Sequence, residues 1–178
     1  MSTNTTTELY GTPYVSPETS RGLTAGEINM LRTVFGDSIN YDSVQVTANA
    51  LVINDTAISV DGNIRFDPSD YQDDFSQSGI QDKSWFVHEM THVWQSQNGY
   101  EVFENGLGLQ AIKALSDINP YDYDLDPNKS FRDYNMEQQA SILEDYAKKV
   151  LLDPNADLSN PDISALSDLV GDFMNSDK

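Results

Sequence analysis

Both histidines of this chain lie four residues apart in a segment that is apolar almost all the way round. Across residues 82–98, Trp85, Phe86, Val87, Met90, Val93 and Trp94 occupy nearly every face of a helix. A helix with so little surface left for water belongs inside a domain. Set into it is His88-Glu89-Met90-Thr91-His92. Residues four apart share a helical face, so two imidazole nitrogens converge on one point, while Glu89 is turned by about 100° and stands beside that point. Burying two imidazoles and a carboxylate carries a desolvation cost that a divalent metal offsets directly. The domain therefore has to be built around this helix, and the expected ion is zinc. His88 and His92 are its predicted ligands, and Glu89 the predicted general base, taking a proton from the attacking water and passing it to the leaving amine.

A catalytic zinc needs three protein ligands and one open position. With no further histidine and no cysteine in the chain, the third ligand has to be a carboxylate. The run Val93-Trp94-Gln95-Ser96-Gln97-Asn98 excludes the longer HExxHxxGxxH pattern. The favoured candidate is Glu137, in Tyr134-Asn135-Met136-Glu137-Gln138-Gln139-Ala140 at the start of a second helix; Glu144, seven residues on and roughly on the same face, is its rival, ahead of any loop aspartate. Stabilising an oxyanion beside the metal requires a donor, and Tyr134 and Tyr146, which flank Glu137, are the predicted sources. The alternating carboxylates Asp122, Asp124 and Asp126 look like the start of a calcium loop. Pro127 stands where such a loop turns on glycine, however, and Asp133 where it ends on a bidentate glutamate, so Ca2+ is not expected.

The periodicity predicts an α+β domain, mostly helical, with a small antiparallel sheet ahead of the histidine helix. Residues 1–22, rich in Thr and Ser, read as a flexible arm, and 23–178 as the domain. Thr24-Ala-Gly-Glu27 has the form of a capping box, followed at helical spacing by Ile28, Leu31, Val34 and Phe35. Val44, Val46, Leu51 to Ile53, Ile58, Val60, Ile64 and Phe66 then alternate with polar residues, with Asp61-Gly62-Asn63 as a hairpin turn. Asp82 or Ser84 is the expected cap of the histidine helix. Further helices are predicted over 102–116, 135–152 and 163–174, with a polar loop over 117–133.

The formal net charge is −19, from 10 basic and 29 acidic residues. Such a surface repels phosphate backbones and anionic membranes, so neither nucleic acid nor membrane is an expected partner. The first residues lack the basic start and apolar stretch of a secretory signal, and no apolar run is long enough to span a bilayer. The expectation is a soluble protein, exported, if at all, by another route.

Trp85-Phe-Val-His-Glu-Met-Thr-His-Val-Trp-Gln95, Leu23-Thr-Ala-Gly-Glu27 with Val34-Phe-Gly-Asp37, and Glu137-Gln-Gln-Ala140 with Glu144-Asp145-Tyr146 resemble the zincin-type, gluzincin-like metallopeptidases called Vgr-related proteins. These are linked to bacterial type VI secretion and Rhs loci. The resemblance covers about residues 22–150 and implies a zincin-like fold, the later glutamate as third ligand, and a secreted effector or an accessory of the secretion apparatus, held in a bacterial cytoplasm before export. Gluzincins often place an aspartate four residues after the ligand glutamate to orient the first histidine; Ser141 stands there instead, which leaves the partner of His88 open. By analogy with zincins, the Ile58–Phe66 hairpin would bind an extended peptide by strand addition. The leading expectation is a zinc metallopeptidase acting on peptides or proteins. Its competitors are a peptidoglycan amide hydrolase using the same site and a non-catalytic zinc-containing adaptor of a secretion assembly.

Overall fold

Glu27 organises the beginning of the domain. Its carboxylate accepts the Thr24 amide at 2.8 Å while Thr24 Oγ1 accepts the Glu27 amide, closing the expected capping box at the start of helix α1 (Ala25–Phe35). Both guanidinium nitrogens of Arg21 donate to the same carboxylate at 2.8 Å, and so does the Phe75 amide at 2.9 Å. A buried carboxylate is thus supplied with donors from three chain segments, which is what makes its burial tolerable. The computed structural model describes residues 19–49, 57–60, 62–100 and 119–176. The expected 102–116 helix and the Leu51 to Ile53 stretch lie outside them, as do residues 1–18 of the arm. Residues 19–22, predicted as part of that arm, are instead strand β1 (Thr19–Gly22), held in place by Arg21.

The sheet contains β1, β2 (Gln45–Ala48), β3 (Ala57–Val60) and β4 (Asn63–Phe66) in the order β1-β2-β4-β3. It is mixed, which corrects the antiparallel prediction: β1 pairs antiparallel with β2 and β3 antiparallel with β4, but β2 and β4 run parallel, with Val46 opposite Ile64. The hairpin at Gly62, whose φ of 75° suits glycine, folds β4 back into the middle and leaves β3 at the edge. Val46, Ile64 and Phe66 point into the core as the alternation requires.

Helix α2 (Ile80–Gln97) carries the histidines and is buried from Phe86 to Gln95. It begins earlier than predicted. Gly79, not Asp82 or Ser84, occupies the N-cap, and Ser84 Oγ donates to the Gln81 carbonyl. Phe66, Phe75 and Phe86 stack on one side of it, the last two nearly parallel with centroids 4.5 Å apart; Trp94 meets Phe131 and Phe173 at its other end. Its most extensive packing is against α3 (Met136–Tyr146), and β3 also lies against it. α3 gives way to a π-helical turn over Ala147–Leu151, where the sequence predicted one helix to 152, and α4 (Pro161–Ser176) closes the core through Leu166, Val170 and Phe173. No helix among the described residues is long and apolar enough to cross a membrane.

Candidate metal centre

The crossing of α2 and α3 brings His88, His92 and Glu137 together. One ligand atom from each lies within 4.8 Å of the others. His88 Nε2 is 3.5 Å and His92 Nε2 3.3 Å from the same oxygen, Glu137 Oε2. Charge-assisted hydrogen bonds are shorter, about 2.7–2.9 Å. A tetrahedron with metal–ligand bonds of about 2.0–2.1 Å has edges of about 3.3 Å, so the separations fit donors arranged around a small divalent ion. The donor set, two imidazoles and one carboxylate, suits zinc. Glu137 sits in the first turn of α3, where the helix dipole favours a negative charge, and Asn135 caps that turn in a box with Gln138.

Both imidazoles are also gripped from behind. His88 Nδ1 lies 3.0 Å from Glu144 Oε2, and His92 Nδ1 lies 2.8 Å from Gln95 Oε1. Occupied on that side, each ring turns its Nε2 towards Glu137. The structure thus separates the two carboxylates that the sequence left in competition: Glu137 faces the Nε2 atoms, and Glu144 fills the place behind His88 that Ser141 could not. Seven residues are two turns of helix, so Glu144 lies on the same face of α3 two turns further along.

Glu89 is buried beside the cluster with 5% of its surface exposed, and His88, His92 and Glu137 keep 7%, 8% and 8%. In the metal-free protein, burial works against a charged His88, but the attraction of Glu137, Glu144 and Glu89 prevails and pushes it up to about 10. Burial likewise opposes the charge of Glu137, yet the two imidazoles pull its carboxyl down to about 2. A compact set of opposite charges that hold one another in this way is what a cation-binding site looks like before its cation is counted.

The chain has relatives among known proteins. The type VI secretion system spike protein VgrG2b of Pseudomonas aeruginosa is 38% identical over 143 residues, which make up 78% of this chain. The chain spans only 14% of that protein's length. The solved effector domain of Pseudomonas aeruginosa VgrG2b matches with a TM-score of 0.70 at 34% identity, over 83% of this chain and 80% of that one. This chain belongs to the VgrG2b effector-domain family. No protein-family model matches it.

Within this member of the family, the tyrosines are placed otherwise than predicted. Tyr134 is buried with its hydroxyl donating to the Asp124 carbonyl at 3.0 Å and accepting the Asp126 amide at 3.1 Å, so it holds a loop. Tyr146 is half-buried against the hydrophobic core, and burial raises its pKa. The tyrosine at the cluster is Tyr121, whose ring centroid is 6.1 Å from that of His88. Burial, and then the charges of Glu137 and Glu89, push its hydroxyl up to about 12, so it stays a proton donor. Its loop is pinned along α3: at the start of the helix Gln138 Nε2 donates to the Asp122 carbonyl at 2.7 Å and Asn135 Nδ2 to the Pro120 carbonyl at 3.3 Å, and towards its end the Tyr123 hydroxyl donates to Asp145 at 2.7 Å. Local sequence carries no signal for this, because the contacts join residues 15 or more positions apart. In the same loop, Asp126 accepts from Asn128 and Asp133 from Ser130, so these carboxylates cap local turns.

Proposed function

We propose that this chain is a zinc-dependent metallopeptidase with a zincin-like fold, held ready by His88, His92 and Glu137. The observation that carries the reading is the shared approach of both Nε2 atoms to Glu137 Oε2 at tetrahedral-edge spacing, with both Nδ1 atoms occupied behind. When bound, zinc supplies a Lewis acid that polarises the scissile carbonyl and lowers the pKa of water enough for attack near neutral pH. Glu89, one residue round the helix from His88, takes the proton of the attacking water and returns it to the leaving amine. A structural metal site would have no use for a buried carboxylate in that position. The Tyr121 hydroxyl donates to the carbonyl oxygen as it becomes negative. Strand β3, at the sheet edge and against α2, offers its backbone to an extended peptide.

The kinship with an effector domain of a type VI secretion spike protein supports a place for this chain among secreted bacterial effectors, with proteins of the secretion apparatus as partners. The same site acting on peptidoglycan stem peptides is the neighbouring reading. The test is zinc content and peptide-bond cleavage for wild type, Glu89→Gln and Glu137→Gln. Glu89→Gln retains zinc and loses turnover of a casein-like substrate, while Glu137→Gln loses zinc. A wild type that binds one zinc but cleaves neither casein nor peptidoglycan fragments returns the protein to the adaptor reading.

A further inference from the structure

We propose that Gln95 and Gln139 form a two-amide relay that fixes which nitrogen of His92 carries the proton, and so act as positioning residues for the metal centre. The proposal rests on the reading of His92 as a ligand. Its basis is a chain of hydrogen bonds whose direction is set at the far end by groups that can only accept.

A backbone carbonyl has no hydrogen to give. The Tyr134 carbonyl takes a hydrogen bond at 2.9 Å from Gln139 Nε2, which turns the Gln139 oxygen the other way, towards Gln95. There Gln139 Oε1 takes a hydrogen bond at 2.9 Å from Gln95 Nε2, and the Met136 carbonyl takes a second from the same nitrogen at 3.0 Å. Both hydrogens of the Gln95 amide are then committed, and its oxygen is the atom left facing His92 at 2.8 Å. An amide oxygen only accepts, so His92 Nδ1 must donate. The neutral ring is therefore protonated at Nδ1 and presents a bare lone pair on Nε2, the atom that faces Glu137. Reversing Gln95 would set its oxygen against the Met136 carbonyl and Gln139 Oε1, and reversing Gln139 would set oxygen against the Tyr134 carbonyl and amide nitrogen against amide nitrogen.

The relay is buried throughout, with Gln95 at 0% and Gln139 at 1% exposure. That explains its chemistry. His88 reaches a carboxylate, Glu144, whose side chain keeps 31% of its surface exposed and stays partly solvated. Position 95, behind His92, is closed to bulk solvent, and a carboxylate there would face the Met136 carbonyl and Gln139 Oε1. A neutral amide gives the same orienting acceptor and donates at its other end. Because residue 95 follows His92 by three on the helix, the two side chains meet directly. Because residue 139 lies on α3, two residues beyond Glu137, the relay also ties together the two helices that carry the ligands.

The test compares zinc affinity, by competition with a chromophoric chelator, with the ring protonation of His92 in nitrogen-edited NMR spectra of the zinc-loaded protein. In wild type, His92 shows a slowly exchanging proton on Nδ1. Gln95→Met removes the acceptor and lowers zinc affinity by about 10- to 100-fold. Gln139→Met lowers it less, since the Met136 carbonyl still orients Gln95. Gln95→Glu loses the donations to α3, and with them thermal stability, but keeps the acceptor and so retains far more zinc affinity than Gln95→Met. That split separates positioning from mere support of the fold, for which the two substitutions at 95 would lower stability and affinity together. A Gln95→Met protein with wild-type zinc affinity overturns the proposal, as does a His92 proton found on Nε2. If Gln95→Met does not fold, Gln139→Met and the wild-type spectrum decide. A wild type that takes up no zinc overturns the metal reading and the relay with it, an outcome distinct from a wild type that binds zinc and a variant that matches it.

Discussion

Replacing Glu144 should reduce zinc affinity by an amount that depends on pH. The carboxylate sits 3.0 Å from His88 Nδ1 and favours anything positive bound at Nε2 of the same ring, whether a proton or a metal ion. Partners of this kind contribute about 10- to 100-fold to metal affinity, or about 1.4–2.7 kcal/mol. In the metal-free protein, however, the same carboxylate helps to hold His88 up to about 10. At pH 7 zinc must therefore displace a proton from His88, a cost that falls as the pH rises towards 10. Glu144→Ala weakens both competitors, and near neutral pH the two effects partly cancel. At pH 9 the proton is held far more weakly, and most of the loss in zinc affinity becomes visible. Chelator competition on Glu144→Ala and wild type at pH 6.5 and pH 9, with circular dichroism to confirm folding, should give the larger loss at pH 9. Glu144→Gln, which keeps an acceptor, should lose less at both. An Ala variant with unchanged affinity at pH 9, or with its larger loss at pH 6.5, would refute the role given to this residue.

Tyr121→Phe should lower kcat by about 10²- to 10³-fold with zinc content unchanged, whereas Tyr134→Phe should leave kcat near wild type and lower the melting temperature, since its hydroxyl holds Asp124 and Asp126. Gly26→Ala would drive a methyl group into Ser76 Oγ, a hydroxyl already tied to Asp74 at 2.6 Å, and should cost about 1–3 kcal/mol in chemical denaturation; adding Ser76→Gly should recover most of it. The metal-free protein should lose stability at both ends of the pH scale. His88, raised from 6.5 to about 10, stabilises fully below 6.5 and loses that contribution as pH rises through 10; Glu137, lowered from 4.5 to about 2, stabilises fully above 4.5 and loses its contribution as pH falls through 2. Thermal melts across pH 2–11 check this, and Glu137→Gln should flatten the acid limb.

The parts of this domain that depend on local rules were readable from the residues alone. The capping box at Thr24 and Glu27, the burial of the histidine helix and the meeting of Glu137 with His88 and His92 follow from spacing and from the lack of a third histidine or any cysteine. Long-range pairing was not readable. Alternation tells which face of a strand is buried but not which strand lies beside it, so the parallel pairing of β2 with β4 could not be separated from a simple meander. Strand β1 was missed because Thr19–Gly22 shows no apolar face; its anchor is the ion pair of Arg21 with Glu27. At the site, helical spacing gives a face and not a nitrogen, so it places Glu144 near His88 without telling which side of the ring it meets. Tyr121 was hidden in a polar loop whose course is set by side chains on α3. Gln95, three residues after His92, is within reach of the ring by the i,i+3 rule, a signal that charge alone does not carry.

The central claim is that one metal ion sits between α2 and α3 with a position left open for water. Anomalous scattering at the zinc edge from a crystal of the zinc-loaded protein tests it most directly. One peak is expected, about 2.0–2.2 Å from His88 Nε2, His92 Nε2 and a Glu137 oxygen, with no fourth protein ligand. A peak bound through Glu144, a fourth side chain closing the coordination sphere, or no peak between the helices would contradict it.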